Sequence, residues 1–336
     1  MTVVGPFGLS VRDQALEADV QTGLAAVEAG LLDATKSEVP FITEAAQHLV
    51  RAGGKRFRPL LVMLASQFGD PYAPGVVPSA VVVELTHLAT LYHDDVMDEA
   101  EVRRGVDSAN ARWGNSVAVL TGDFLFARAS HILADLGPEA VRIQAEAFER
   151  LVTGQILETA GPRDGRDPVE HYLDVIGGKT GSLIAVSGRF GAMMSGAEEG
   201  VVDILTQYGE RLGVAFQLAD DVLDIASDSH ESGKTPGTDL REGIPTLPVL
   251  RLRAQAAEHG RPEDLALVEL LDGDLTDDAR HAEALRLLRT HPALEQARRD
   301  TVRYAQEARA MLAPLPECYA KAALEELCDA VVHRAG

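Results

Sequence analysis

Cysteine is scarce in this 336-residue chain: Cys318 and Cys328 are the only two, ten residues apart near the C-terminal end. Neither has the neighbouring Cys or His ligands of a zinc site, and two thiols make no disulfide framework, so reduced thiols and a cytoplasmic location are expected. Basic residues are also in deficit, 31 Lys and Arg against 52 Asp and Glu, for a formal charge of −21. That balance excludes a general nucleic-acid binder, which needs a basic face. An anionic substrate must then be met by local basic residues or by metal. The N-terminal stretch lacks a basic segment ahead of an apolar one, against a secretory signal, and no unbroken apolar run has the length of a membrane span, so no transmembrane segment is expected. Alternating, β-branched strand patterns are almost missing as well.

What is present is helical periodicity nearly throughout, in an ordinary composition of 46% hydrophobic and 25% charged residues. The pattern predicts helices at 10–33, 40–51, 55–69, 75–99, 115–136, 138–160, 168–194, 198–228, 244–259, 262–272, 276–289, 292–312 and 317–333. Breakers separate them at Gly53-Gly54, Asp70-Pro71, Gly137-Pro138, Gly161-Pro162 and the loop Ser229–Gly243. No low-complexity linker divides the chain, so one large all-α domain, 1–336, is expected. The stretches 75–93 and 181–194 are apolar on more than one face and belong in a core.

The chain's chemistry is concentrated in acidic clusters. Asp94, Asp95 and Asp98 close an apolar run and are followed by Arg103 and Arg104. On a helix, Asp94 and Asp98 project together, with Asp95 about 100° round. Stacked carboxylates call for a cation, and magnesium, which shares its shell with substrate phosphates, is the natural one. A single DDxxD is most simply a solvated helix end. Asp220, Asp221 and Asp224 repeat the same spacing after a second apolar lead-in, and the pair is hard to explain as solvated faces.

Basic residues complete the pattern. GGKRFRP (53–59) sets Lys55, Arg56 and Arg58 at the start of a helix, where backbone N–H groups and the dipole favour an anion. GGKTG around Lys179-Thr180 lacks the spacing and the preceding strand of a P-loop. Lys234 lies in a glycine-rich polar loop. By its own chemistry His87 reads as a packed core histidine and Gln217 as a helix-to-helix hydrogen bonder.

Taken together, GGKRFRP, HDDVMDEAEVRRG, GDFLFARA, KTGSL, FQLADDVLD and GKTPGTDLREG resemble the trans-polyprenyl diphosphate synthases, in the correct order over about residues 50–250. The resemblance implies an all-α isoprenoid-synthase fold with helices around a central cavity, and a homodimer. It implies head-to-tail condensation of isopentenyl diphosphate with an allylic diphosphate. The six aspartates would hold about three magnesium ions with the allylic diphosphate. Lys179, Lys234 and Arg103 would stabilise that leaving group. Lys55, Arg58, His87 and Arg104 would bind isopentenyl diphosphate, and Thr180 and Gln217 would lie near the cation. The family often has lysine where this chain has Ile244, which puts one phosphate contact in doubt.

Short-chain members carry an aromatic floor four or five residues before the first aspartate. Here those positions are Thr90 and Ala89, both small, so a long product, hexaprenyl to decaprenyl and of the quinone side-chain type, is expected. Leu85, Val82 and Phe126 are candidate floors. A geranylgeranyl synthase is the alternative. A terpene cyclase usually carries an asymmetric second motif, and a non-catalytic subunit would be expected to lose one of the acidic clusters.

Overall fold

The computed structural model describes residues 13–227 and 236–335. Among them the chain forms α1 (Gln14–Ala34), α2 (Pro40–Arg51), α3 (Phe57–Ser66), α4 (Val76–Met97), a hairpin of β1 (Val102–Arg103) and β2 (Val106–Asp107), α5 (Ala109–Trp113), α6 (Asn115–Leu136), α7 (Pro138–Ala160), α8 (Pro168–Ile176), a π-helical turn (Gly177–Gly181) and α9 (Ser182–Met194). There follow α10 (Glu199–Ala226), α11 (Thr238–Arg241), α12 (Leu247–His259), α13 (Pro262–Leu271), α14 (Asp278–Arg289), α15 (Pro292–Met311) and α16 (Tyr319–Ala335).

Contacts divide the chain into two compact units. The first comprises Met1–Glu149, Ser182–Gly209 and Met311–Glu326; the second comprises Arg150–Gly181, Glu210–Ala310 and Leu327–Gly336.

In the first unit α4 is the central helix, packed against α1, α3, α5, α6 and α9. It buries Val81, Val82, Val83, Leu85, Leu88 and Ala89 in succession, as expected of a helix apolar on several faces. Every residue of α3 except Arg58 is buried, so the arginine is the one polar group that helix presents. Its predecessor, Arg56, stands in the left-handed region at φ 50° and starts the helix two residues later than the periodicity predicts.

The hairpin is a departure from the expected absence of strand. Val102 pairs with Asp107 and Arg103 with Val106, leaving Arg104 and Gly105 at φ 54° and 77° as a two-residue turn whose positive φ angles suit the strand twist. Among the long helices described, α6 has the most apolar 18-residue window. Its mean hydropathy is 1.3 over the best 18-residue window, so it is long and apolar enough to cross a membrane by length and composition, with 33% of that window buried. Asp123 and Arg128 interrupt the apolar run, which is why a search for an unbroken stretch passes over it.

In the second unit α12 packs on α8 and α13, and α13 on α14. The carboxylate of Asp167 caps α8 by accepting from Val169 N and Glu170 N, both at 2.9 Å, ahead of Pro168 in the first turn. The single helix predicted over 168–194 is broken by the π turn Gly177–Gly181, which carries Lys179 and Thr180. Such insertions re-aim side chains within an otherwise regular helix. Close approach requires glycine here: a Cβ on Gly154 of α7 would lie 2.8 Å from Lys179 N and 2.9 Å from Val175 O.

Candidate active site

The first acidic motif ends α4. Asp94 and Asp95 lie in its last turn and Asp98 is the C-cap residue. Unsatisfied carbonyls make that end of a helix negative, so carboxylates there are destabilised and a cation is favoured. The second motif occupies the corresponding place on α10, which ends two residues after Asp224.

Within the first unit two buried carboxylates organise the basic residues. Asp95 is 0% exposed; its Oδ1 accepts from Arg103 Nε at 2.5 Å, while Arg103 Nη2 lies 3.9 Å from Asp98 Oδ2. Burial raises the pKa of Asp95 against the lowering influence of Arg103. Its other oxygen, Oδ2, is buried without a hydrogen-bond partner. Leaving such an oxygen unmet costs about 1–3 kcal/mol or more, and a hydrated cation at the motif meets it. The residues present therefore fit a divalent metal. Among the described residues no group of three or more His, Cys, Asp or Glu side chains is placed to hold a metal ion by itself.

Glu84, 2% exposed, is the second anchor. Arg56 Nη1 donates to its Oε1 at 2.9 Å and Arg104 Nη2 lies 3.7 Å from the same oxygen. Arg56 also bonds Glu28 and donates to Val50 O at 3.0 Å. It is a structural pin within the basic motif. Arg104 donates to Leu49 O at 3.1 Å and to Gly53 O, so the adjacent arginines of the hairpin go to different partners. Gly53 holds φ 86°, and a Cβ on Gly54 would sit 3.0 Å from the Arg104 guanidinium, which explains the glycine pair.

Arg58 has a buried Nε with no partner. Desolvation lowers its pKa to about 10, opposed by Glu84 and aided by Arg104. His87, half-buried, is held well below its ordinary pKa, first by desolvation and then by Arg58, Arg104, Arg103 and Arg56. It is a neutral hydrogen-bonding ring among guanidinium cations. Lys55 is exposed. Arg58, Arg104 and His87 thus cluster around one buried donor without a hydrogen-bond partner, Arg58 Nε, an arrangement that suits an anion.

The second unit holds a hydrogen-bonded chain. Tyr172 of α8 donates to Asp221 Oδ2, which also accepts from Leu247 N at 3.2 Å. Gln217 Nε2 donates to Asp221 Oδ1 at 3.4 Å, and Thr180 Oγ1 donates to Gln217 Oε1 at 3.3 Å. Asp221 is 1% exposed, and burial pushes its carboxyl up to about 7 despite the Tyr172 bond. The Asp224 carboxylate accepts from Thr238 N at 3.1 Å and Asp239 N at 3.2 Å, capping α11. Asp220 is half-buried beside them. Lys179 Nζ pairs with Glu158 Oε2 at 2.6 Å.

Lys234 lies outside the described residues. Ile244, where the family resemblance expects lysine, is 39% exposed and offers no charge. Ala89 is fully buried, whereas Thr90 keeps part of its surface, its hydroxyl donating to His87 O at 2.8 Å. Leu85 and Val82 are wholly buried, and Phe126 lies 4.4 Å from Phe148 between ring centroids.

Sequence reasoning missed Glu84, Glu158 and Tyr172. A signal existed for Glu84, an acid within the apolar run of α4 and on the same face as His87. Nothing in sequence marks Tyr172.

The family model described as polyprenyl synthetase matches residues 39–288. The chain is 48% identical over 330 residues to the nonaprenyl diphosphate synthase of Mycobacterium tuberculosis, covering 98% of this chain and 97% of the relative. Its structure is similar to that of geranylgeranyl pyrophosphate synthase from Corynebacterium glutamicum complexed with calcium and isoprenyl diphosphate, with TM-score 0.87, 46% identity, and coverage of 97% of this chain and 99% of that one. It is also similar to a decaprenyl diphosphate synthase from Rhodobacter capsulatus, with TM-score 0.85, 37% identity, and coverage of 96% and 99%.

Proposed function

The chain belongs to the polyprenyl synthetase family, and from that premise we propose that it is a long-chain trans-polyprenyl diphosphate synthase. It joins an allylic diphosphate head-to-tail to isopentenyl diphosphate, with products from hexaprenyl to decaprenyl for quinone side chains. The observation that carries this reading is the cluster of Arg58, Arg104 and neutral His87, whose unpartnered Arg58 donor suits a diphosphate in a chain of net charge −21.

Lys55, Arg58, His87 and Arg104 bind the diphosphate of isopentenyl diphosphate; Arg58 Nε supplies the donor that has no partner within the protein. The roles proposed for Arg103 and for Lys179 are to stabilise the charge of the departing allylic diphosphate, Lys179 by exchanging its Glu158 partner for phosphate oxygens. Asp94, Asp95 and Asp98 of the first motif and Asp220, Asp221 and Asp224 of the second would hold magnesium. The ions, when bound, neutralise the diphosphate and ease cleavage of its C–O bond. Thr180, whose proton goes to Gln217 Oε1, turns its lone pairs towards the allylic cation, a fixed dipole that needs no reorganisation. The isopentenyl double bond attacks that cation to form the new C–C bond, and the released diphosphate takes the proton.

Small residues at Ala89 and Thr90 support a long product: each added isoprene unit buries more apolar surface, at roughly 25 cal/mol per Å². The 46% identity to a geranylgeranyl synthase favours a second reading, the same chemistry with a shorter product. The family model runs through both units of the chain, which supports one catalytic domain. Val119 and Leu120 of α6 and Val141 of α7 are large and exposed, which supports a homodimer. A cytoplasmic location fits the reduced cysteines.

The test is product analysis with purified chain, magnesium, farnesyl diphosphate and labelled isopentenyl diphosphate. Products beyond geranylgeranyl support the assignment. A stop at geranylgeranyl selects the second reading, and no elongation from any allylic starter refutes both.

A further inference from the structure

The chain of hydrogen bonds in the second unit ends on a residue the reaction scheme leaves without a task. Tyr172 stands on α8, seven residues before Lys179. Its hydroxyl donates to Asp221 Oδ2, and Leu247 N donates to the same oxygen. Together they fix the rotation of a carboxylate that is 1% exposed. The fixed Oδ1 then receives Gln217 Nε2, and the amide, with its nitrogen held there, turns Oε1 towards the Thr180 hydroxyl.

We infer that Tyr172 is a positioning residue: it orients the Gln217 amide through Asp221 and thereby keeps the Thr180 hydroxyl donating to Gln217, with its lone pairs left for the allylic cation. The inference rests on the placement of Thr180 near that cation proposed above.

The physical argument is one of directionality. An amide has a donor end and an acceptor end of nearly the same shape, so what it bonds decides which way it lies. The two bonds made by Gln217 are 3.4 and 3.3 Å long, at the weak end of the range. They do not hold the amide by themselves; its placement depends on Asp221, which Tyr172 and Leu247 N both engage. Without the Tyr172 bond the carboxylate, held on Oδ2 by Leu247 N alone, turns and draws Oδ1 away from Gln217 Nε2; the amide loses its anchor, and in its reversed orientation Thr180 faces an NH2 group. Its hydroxyl then accepts rather than donates, and its own proton points at the developing positive charge. That opposes ionisation, a step that follows the binding of both diphosphates.

The experiment is a double-mutant cycle in kcat with Tyr172→Phe and Thr180→Val on the full-length enzyme, with magnesium, farnesyl diphosphate and isopentenyl diphosphate. Tyr172→Phe alone should lower kcat by about ten-fold or more, the order expected for a lost oriented dipole, with both KM values within about two-fold. In the Thr180→Val background the same change should have almost no further effect, because the group it orients is gone. Equal loss in both backgrounds overturns the inference. So does a loss confined to the allylic KM or to the magnesium requirement, which would make Tyr172 a support for the metal-binding motif. If the Tyr172→Phe protein does not fold, incorporation of 4-fluorophenylalanine at position 172 fills the hydroxyl's place without a donor, and the cycle is read with it. Wild-type turnover in the same assay tests the proposed reaction separately: its absence refutes that reading, whereas an additive cycle with active wild type refutes only the role of Tyr172.

Discussion

Gly154→Ala should be far more harmful than an alanine in a helix ordinarily is. Its Cβ would lie 2.8 Å from Lys179 N, 2.9 Å from Val175 O and 3.2 Å from Gly178 C, all backbone atoms that cannot swing aside. Restoring ordinary contact needs a shift of about 0.5 Å between α7 and the π turn, given the close packing of protein interiors. Overpacking of this kind costs about 1–3 kcal/mol, and the better helix propensity of alanine returns about 1 kcal/mol. Net destabilisation should therefore be modest, about 0–2 kcal/mol. The effect on rate should be the larger one. The turn carries Lys179 and Thr180, and since a 1 Å misplacement can cost about 100-fold, a shift of half that size should lower kcat by about ten-fold. Gly177→Ala is the matched control: it lies in the same turn, with nothing within 4 Å of its Cβ and no positive φ, and should leave kcat unchanged. The assay is steady-state incorporation of labelled isopentenyl diphosphate alongside thermal denaturation. Wild-type kcat in Gly154→Ala, or equal loss in Gly177→Ala, would refute the reasoning.

Thr90→Phe should shorten the product, and more cleanly than Ala89→Phe, because Ala89 is fully buried and a ring there must displace packed neighbours; chromatography of the dephosphorylated products decides, and an unchanged distribution removes Thr90 from the tunnel wall. His87→Gln should keep the KM for isopentenyl diphosphate within a few-fold, whereas His87→Ala should raise it by about ten-fold, the worth of one hydrogen bond to a charged group; equal damage from both would contradict a neutral imidazole acting as a donor. Asp264 accepts from His291 Nε2 at 3.1 Å and Arg261 Nε at 3.0 Å, and these bonds hold its pKa below the ordinary 3.8. A depressed carboxyl stabilises the fold above its unfolded pKa and ceases to do so as pH falls through the folded one. Asp264→Asn should therefore be less stable at neutral pH by about 1–3 kcal/mol, and the gap to wild type should close below pH 3.8. Urea denaturation at several pH values measures it, and a gap independent of pH would count against the ion-pair account.

Helices were legible because their breakers are chemical rather than contextual. Proline begins α2, α7, α8, α13 and α15, and the predicted boundaries mostly fall within a few residues. The two aspartate motifs and the basic segment were legible as spacing. What sequence cannot carry is direction. Lys55, Arg56 and Arg58 look alike in a run, yet Arg56 is buried between Glu28 and Glu84 while Arg58 keeps an unmet donor. The π turn needs one extra residue in a helical pattern and leaves no periodic trace. The hairpin strands are two residues each, too short to alternate. Asp221 and Asp224 share one motif, but one is held by a tyrosine and the other caps a helix, and only the fold assigns those partners.

The desolvation of Arg58 and Arg104 bears on how the enzyme meets its surroundings. Both guanidinium groups are desolvated by burial, so the attraction they exert is screened less by dissolved salt than that of an exposed charge. Lys179 is 30% exposed and lies within the ionic atmosphere. On the proposed roles, rising salt would weaken the hold of Lys179 on the allylic diphosphate before that of Arg58 and Arg104 on isopentenyl diphosphate, so the medium itself would shift which substrate limits turnover.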